Sequence, residues 1–536
     1  MTTDIGLVLA GCLAPALVFV ALRSLGLPFG LRVEHSGEDY NWLRILAAPT
    51  LAQKVNSFWT LDWRNPLSPW WYILAEPIYE MMPRGPLILR LLMNPLLAFA
   101  AYFMIRSATE GRARLLALCA ALVIGIWTFG YSTDHVLWNI LGAAGLSMLC
   151  VGCYATWLAG GRNAVGWYGL SLILWFAAFA TYAFQMGAIL AIGLLCLLRP
   201  PPGAAVVRRL VVVAFELLPF AIIAILFLLI WITTRHPTMS DAVALAPERL
   251  IENVLGSLRH GIWPQEYRSF AEAAWARLGW GLPALAAGMG VLAAVLAGVV
   301  SREDRAVAGR DAALALALAA CLVLPTLLIE STSNTWTVGT RWRMVHQMWL
   351  PLLWLGSIGL TAAALPLADW ARRWCLLGGA GIASALVLCV SLGHNTLQIS
   401  LSAAQAALRA GLATVTEGRA DPVDLLVLVS PEVPWLTAEA LPDVVPVVWF
   451  PGRDVSLRVL RPGPVLTPHY GNWLGVRLTE AAAINLRNGG GAAPYTQVRI
   501  LRFDGRKITM PAQIDVSDVA IYPVSWERDA PLVQPP

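Results

Sequence analysis

Charge is scarce in this sequence. Only 13% of its 536 residues are Asp, Glu, Lys or Arg, against 58% hydrophobic, whereas a soluble domain carries roughly 25% charged residues. Mean hydropathy is +0.64. That scarcity excludes a soluble enzyme and leaves a polytopic α-helical membrane protein, which buries apolar surface against lipid and against its own helices. The net charge of +5 comes without a long basic run, so nucleic acid is not expected as a partner.

Other absences narrow the chemistry. Cys12, Cys119, Cys150, Cys153, Cys196, Cys321, Cys375 and Cys389 all fall within apolar runs, so they read as buried small hydrophobes and no disulfide is expected. Cys150-x-x-Cys153 has no histidine beside it and reads the same way rather than as a metal or redox site. Rossmann, P-loop, zinc-protease and nucleophile-elbow patterns are absent from plausible contexts. No nucleotide cofactor is therefore expected, and an activated substrate would arrive on a lipid. Met1-Thr2-Thr3-Asp4 lacks the basic region of a secretory signal and no small-residue cleavage site follows, so the run from Ile5 to Leu25 is expected to remain as the first span. There is no repeat of fixed period, and no matched pair of broken helices of the kind transporters carry.

What is present is a series of apolar runs, each able to cross roughly 30 Å of hydrocarbon. They lie near 5–25, 86–105, 113–130, 136–159, 209–232, 280–300, 311–329, 344–365 and 373–393, with a longer run at 166–198. Arginine in short loops marks the cytoplasmic side. With a cytoplasmic N-terminus, Arg106/Arg112/Arg114, Arg162, Arg199/Arg208/Arg209, Arg302/Arg305/Arg310 and Arg372/Arg373 all lie inside only if 166–198 crosses twice. Two short helices hinged near Thr181-Tyr182-Ala183-Phe184-Gln185 are expected, giving about eleven spans. Residues 1–393 then form the transmembrane domain, with a large first outer loop at 26–85. Residues 394–536 carry Pro, Gly and charge at soluble levels and are expected to form a small α/β domain on the outer, periplasmic side. Within it, Asp424–Val429 and Val444–Trp449 read as buried strands, Leu474–Arg487 as a helix, and the segment around Asp504-Gly505 as a hairpin.

Three outer segments hold the candidate chemistry. In the first loop, Glu38-Asp39 could bind a divalent cation, act as general base, or cap the helix beginning near Tyr40. Trp59, Trp63, Trp70, Trp71 and Tyr72 read as an interfacial anchor or as platforms for a sugar ring, and Trp63-Arg64-Asn65 adds a forked cation and an amide. Asp134-His135, in a very short turn, is either a second polar wall of one pocket or a helix cap. Arg341, Arg343 and His346 at the mouth of a late helix suit a phosphate or pyrophosphate, or else snorkel among Trp336, Trp342 and Trp349. Arg90, Asn94, Asn139, Gln185, Glu216 and His394 are polar residues inside spans and read first as packing glue.

Glu38-Asp39-Tyr40, Trp63-Arg64-Asn65-Pro66, the hinge with Tyr182 and Gln185, and Arg341/Arg343 before a late helix together resemble a bacterial integral-membrane glycosyltransferase of the GT-C class. More loosely, the branch is the one that modifies O-antigen and other surface glycans. The resemblance covers about 1–393. It implies a polyprenyl-phosphate-linked sugar as donor, a glycan, lipid or protein acceptor, inversion at the anomeric carbon, and a site on the outer face of the inner membrane. Asp39 would be the base and Glu38 its partner, the two holding Mg or Mn if a cation is used. Arg341 and Arg343 would hold the donor phosphate, with His346, Trp63, Arg64, Asp134, His135, Tyr182 and Gln185 completing the substrate-binding set. Family members often begin the motif with two aspartates; Glu38 departs from that, and the base assignment between the two carboxylates stays open. The competing expectations are a lipid-linked glycan polymerase or ligase, which needs no carboxylate base, and a non-enzymatic transporter or assembly scaffold.

Overall fold

In the computed structural model the described residues are 2–33, 39–62, 66–79, 85–127, 138–160, 163–182, 187–198, 206–233, 251, 255, 265–301, 306–331, 342–433, 436–441, 444–460, 477–479, 483–485, 493–494 and 499–510. The chain begins with α1 (Thr2–Ser24) and then lays three helices in the first loop: α2 (Asp39–Leu46), α3 (Leu51–Asp62) and α4 (Ser68–Tyr79). Next come α5 (Gly85–Ala108), α6 (Arg114–Ile126) and α7 (Trp138–Leu158). The long apolar run is broken as expected into α8 (Ala164–Thr181) and α9 (Gly187–Leu198), with Tyr182 in extended backbone at the end of α8. The helical part closes with α10 (Val206–Thr233), α11 (Gln265–Leu278), α12 (Gly281–Val300), α13 (Gly309–Ser331), α14 (Trp342–Ala364) and α15 (Asp369–Thr416).

Among the described residues seven helices, α1, α5, α7, α8, α10, α12 and α15, are long and apolar enough to cross a membrane, and α6, α9 and residues 349–364 of α14 are shorter apolar helices. The chain is a multi-pass membrane protein. In hydrocarbon a backbone can satisfy its polar groups only within itself, so Leu- and Ala-rich runs of this length fold as helices whatever their neighbours. Of the cysteines, Cys12, Cys119, Cys150, Cys153 and Cys196 are buried, while Cys375 is exposed on α15, contrary to the sequence expectation.

The largest departure from the hydropathy reading is α15. The apolar run ends near residue 393, but the helix continues without a break to Thr416, 48 residues in all, a rod of about 72 Å. Its lower part, to Leu392, belongs to the core of the helical bundle. Its upper part, from Leu401 through Leu412, packs into a second core made with the C-terminal domain. Ser391, His394, Asn395, Gln398, Ser402 and Gln405 are buried along it by protein rather than by lipid.

After α15 the chain enters β1 (Val423–Val429), passes through α16 (Thr437–Ala440) and α17 (Val445–Trp449), and returns as β2 (Val455–Leu460), parallel to β1. That is a βαβ crossover. Three short antiparallel strands follow, β3 (Arg477–Thr479), β4 (Ala483–Asn485) and β5 (Ala493–Pro494). Then β6 (Arg499–Phe503) pairs parallel with β1, with Val427 opposite Leu501, and turns back into β7 (Ile508–Thr509). The sheet order is β2-β1-β6-β7. The Asp504-Gly505 hairpin is present: the Asp504 carboxylate accepts from the backbone N–H groups of Arg506 and Lys507 at 2.8 and 2.7 Å, and Gly505 takes φ 93°. Those two bonds hold the Asp504 carboxyl below the ordinary carboxylate range. Two expectations are corrected. Val444–Trp449 is not a strand but contains the one-turn helix α17, because Pro446 sits in its first turn, where a missing N–H costs nothing. Leu474–Arg487 is not one helix; its described residues include β3 and β4.

Candidate active site

Asp39 is the first residue of α2, so the position of this short helix decides where the carboxylate can act. Two bodies hold it. On one side Trp42 stacks on Tyr72 of α4, with ring centroids 4.3 Å apart and planes 9° from parallel, and Ile45 and Leu46 join the same cluster with Ala75 and Leu89. On the other side Tyr40, 1% exposed, enters the core of the C-terminal domain. Its hydroxyl accepts from Gln405 Nε2 at 2.6 Å and from Trp449 Nε1 at 3.1 Å. Leu43 packs against both clusters.

The rest of the first loop is pinned to the bundle. Trp71 Nε1 donates to Thr181 Oγ1 at 3.0 Å, and the backbone N–H of Leu67 donates to the Ala180 carbonyl at 3.0 Å. These bonds set α4 against the end of α8, where half-buried Tyr182 stands. Lys54 of α3 pairs with Glu76 of α4. Gly30, just past α1, exchanges two hydrogen bonds with the Asn395 side chain of α15, at 3.1 and 2.9 Å.

The opposite end of the bundle is closed by arginines. Asp4 of α1, fully buried, accepts from Arg114 at 2.6 Å and Arg106 at 3.0 Å, and from Tyr102. Arg112 pairs with Asp311 at 3.2 Å, and Arg373 donates to the carbonyls of Ser301 and Gly298 at the end of α12. A Cβ at Gly359 would meet Ala312 and one at Gly309 would meet Ala363, so α14 runs antiparallel to α13. The first turn of α14, positions 342–346, therefore lies at the end away from Asp311, the end that carries α2.

Between α6, α11, α14 and α15 lies a cavity of about 260 Å³ lined by Val123, Trp127, Tyr267, Ala271, Leu350, Pro351, Trp354, Leu386, Val387, Cys389 and Val390, with Arg268 among them. Since an apolar cavity of about 150 Å³ takes one benzene, this slot has room for a longer hydrocarbon segment. Arg268 pairs with Glu272 at 2.8 Å one turn along α11. Arg268 meets the slot with its aliphatic stem while its charged head stays exposed, and a slot so apolar suits a hydrocarbon chain.

Of the residues singled out from sequence, Glu38, Trp63, Arg64, Asp134, His135, Gln185 and Arg341 lie outside the described residues, as do the side chains of Asp39, Arg343 and His346. Their backbones place Asp39 at the start of α2 and Arg343 and His346 in the first turns of α14. The intramembrane polar residues that are described serve packing. Asn94 Nδ2 donates to the Gly125 carbonyl at 3.1 Å; Glu216 accepts from Tyr154 at 2.6 Å and Cys196 at 3.3 Å; the His394 ring meets Phe270 edge-on. Among the described residues there is no group of three or more His, Cys, Asp or Glu that could hold a metal. Sequence reasoning missed Gln405 and Trp449 as partners of Tyr40. One signal was there: Asn395, Gln398, Ser402 and Gln405 recur at helical spacing, which marks a single polar face continuing past the last apolar run.

Together these features define a multi-pass helical membrane protein whose first loop and C-terminal α/β domain meet at one end of the bundle. Neither a family model nor a curated protein matches the chain. Among solved structures it is similar to ArnT from Cupriavidus metallidurans bound to undecaprenyl phosphate, with 14% identity, 79% of this chain and 82% of that chain covered, and a TM-score of 0.40. It is similar to the apo state of the same protein at 15% identity, 84% of each chain and a TM-score of 0.36. It is also similar to the Archaeoglobus fulgidus oligosaccharyltransferase tethered with an acceptor peptide containing the NVT sequon. That match has 13% identity, covers 80% of this chain and 62% of that chain, and has a TM-score of 0.33.

Proposed function

We propose that the chain is a GT-C class glycosyltransferase that moves a sugar from a polyprenyl-phosphate carrier to a glycan, lipid or protein acceptor, on the outer face of a bacterial inner membrane. The N-terminus is cytoplasmic and the C-terminal domain periplasmic. The observation that supports this reading is a juxtaposition: α2, which starts with Asp39, the apolar slot beside Arg268, and the first turn of α14 belong to the same end of the bundle.

Asp39 takes the proton from the acceptor hydroxyl as that oxygen attacks the anomeric carbon. The bond from that carbon to the donor phosphate breaks on the opposite face, which inverts the centre, and the phosphate leaves on its lipid. Arg341 and Arg343 hold the charge that develops on the departing phosphate. The slot takes part of the hydrocarbon chain, and the tryptophans of the first loop keep water from the sugar. If a hard cation such as Mg or Mn is used, Glu38 and Asp39 would hold it, and it would neutralise charge on the donor phosphate.

The test is release of polyprenyl phosphate from a lipid-linked sugar by the purified protein and its Asp39→Asn variant. Release by the wild type and loss of it, by at least a hundredfold, in the variant is the expected result. Equal rates would favour a polymerase or ligase that needs no base in this loop. No release by either protein would remove the enzymatic reading.

A further inference from the structure

The C-terminal domain touches the candidate catalytic helix through Tyr40 and Leu43, and Tyr40 follows the candidate base directly. Tyr40 is part of α2 by sequence but part of the C-terminal core by packing. Its hydroxyl takes hydrogen bonds from two elements that leave the membrane bundle: Gln405 on the upper half of α15 and Trp449 on α17. Gln405 is itself fixed from the domain, since its Oε1 accepts the backbone N–H of Thr437 at the start of α16, at 3.4 Å. The Tyr40 ring also meets the Trp449 indole edge-on, centroids 6.2 Å apart.

We propose that Tyr40 is a positioning residue through which the C-terminal domain sets the placement of the Asp39 carboxylate, so that the domain is a working part of the site rather than an appendage. The inference rests on the reading of Asp39 as the base. Its physical basis is the two-sided grip on α2. The cluster of Trp42, Ile45 and Leu46 with Tyr72, Ala75 and Leu89 grips one side of an eight-residue helix and by itself leaves it free to rock on that side. The Tyr40 anchor, two residues before Trp42 and so about 200° from it around the helix axis, removes that freedom. A base must be held to within about half an ångström of its working position. Fixing the residue next in the chain to a domain core achieves this without any contact between the domain and the substrate.

The test uses the full-length protein with Tyr40→Phe, which keeps the ring and removes the oxygen that receives both donors, and Gln405→Met, which keeps length and removes one donor. The expected result is a kcat lower by about tenfold to a hundredfold in each. The KM for the lipid-linked sugar should stay within a factor of two, and amide exchange should be faster in α2 but unchanged in α5. The double variant should be no slower than the worse single one, because both act through the same bond. Asp39→Asn, run alongside, separates the two claims. If it abolishes transfer while Tyr40→Phe keeps wild-type kcat and α2 exchange, the positioning role is wrong and the base assignment stands. If Asp39→Asn is fully active, both fall. A loss of folded protein in Tyr40→Phe, with Gln405→Met folded and at wild-type kcat, would likewise overturn the proposal and leave Tyr40 as a packing residue.

Discussion

Gly393 on α15 lies against the carbonyl of Phe270 on α11 so closely that a Cβ there would overlap the Phe270 backbone. Because the clashing atoms are main chain, no side chain can swing aside, and α11 itself has to move. Carbon and carbonyl oxygen approach no closer than about 3.3 Å in ordinary packing, so Gly393→Ala displaces α11 by roughly an ångström or more. Overpacking of this kind costs about 1–3 kcal/mol. Gly288→Ala on α12 is the control: nothing lies within 4 Å of the added Cβ, and the helix should gain up to about 1 kcal/mol. Tyr267, Arg268 and Ala271 of α11 line the apolar slot, so the displacement also changes the slot's shape. Thermal unfolding in detergent or nanodiscs should show Gly393→Ala several degrees below wild type and Gly288→Ala at or above it. Binding of a polyprenyl phosphate should weaken in the first and not in the second. If Gly393→Ala matched wild type in both measurements, the packing of α11 on α15 and the slot built from it would be wrong.

Two further outcomes follow from charge. Asp4→Asn removes the anion that Arg106 and Arg114 share; since breaking a buried pair costs about 3–5 kcal/mol and these guanidinium groups are partly exposed, the low end of that range is expected, read as a fall in Tm and in folded yield. In the C-terminal domain the Arg453 guanidinium, 2.8 Å from Asp421, holds that carboxyl below its ordinary value, helped by the Asp454 N–H. A carboxyl depressed in the fold adds stability above its unfolded pKa, near 3.9, and loses that contribution as pH falls through the folded value. The domain should therefore weaken as pH falls below the ordinary carboxylate range, and Asp421→Asn should flatten that part of the profile in an acid titration followed by exchange at β1 and β2.

Hydropathy and arginine placement were enough to locate most helices and the break between α8 and α9, because both follow from what a bilayer permits. Turn chemistry was enough for the Asp504-Gly505 hairpin. What sequence could not carry were elements decided by partners. The run from His394 to Gln405 is too polar for lipid, yet it continues α15 because Gly30, Tyr40 and the C-terminal core cover it. Residues 444–449 are short and apolar, a case where strand and helix cannot be separated by period, and Pro446 tipped the outcome. The slot draws its walls from four helices scattered between residues 123 and 390, so no local pattern announces it. Of the candidate chemistry, the placement of Asp39 at the head of a helix was legible; the anchoring of its neighbour by a distant domain was not.

The most direct measurement of the central claim is mass spectrometry of lipids and surface glycans from cells carrying either the wild-type chain or Asp39→Asn in place of it. The variant should accumulate a polyprenyl-phosphate sugar and lack one glycan decoration that the wild type adds. A variant whose lipid-linked sugars and surface glycans both match wild type would contradict it.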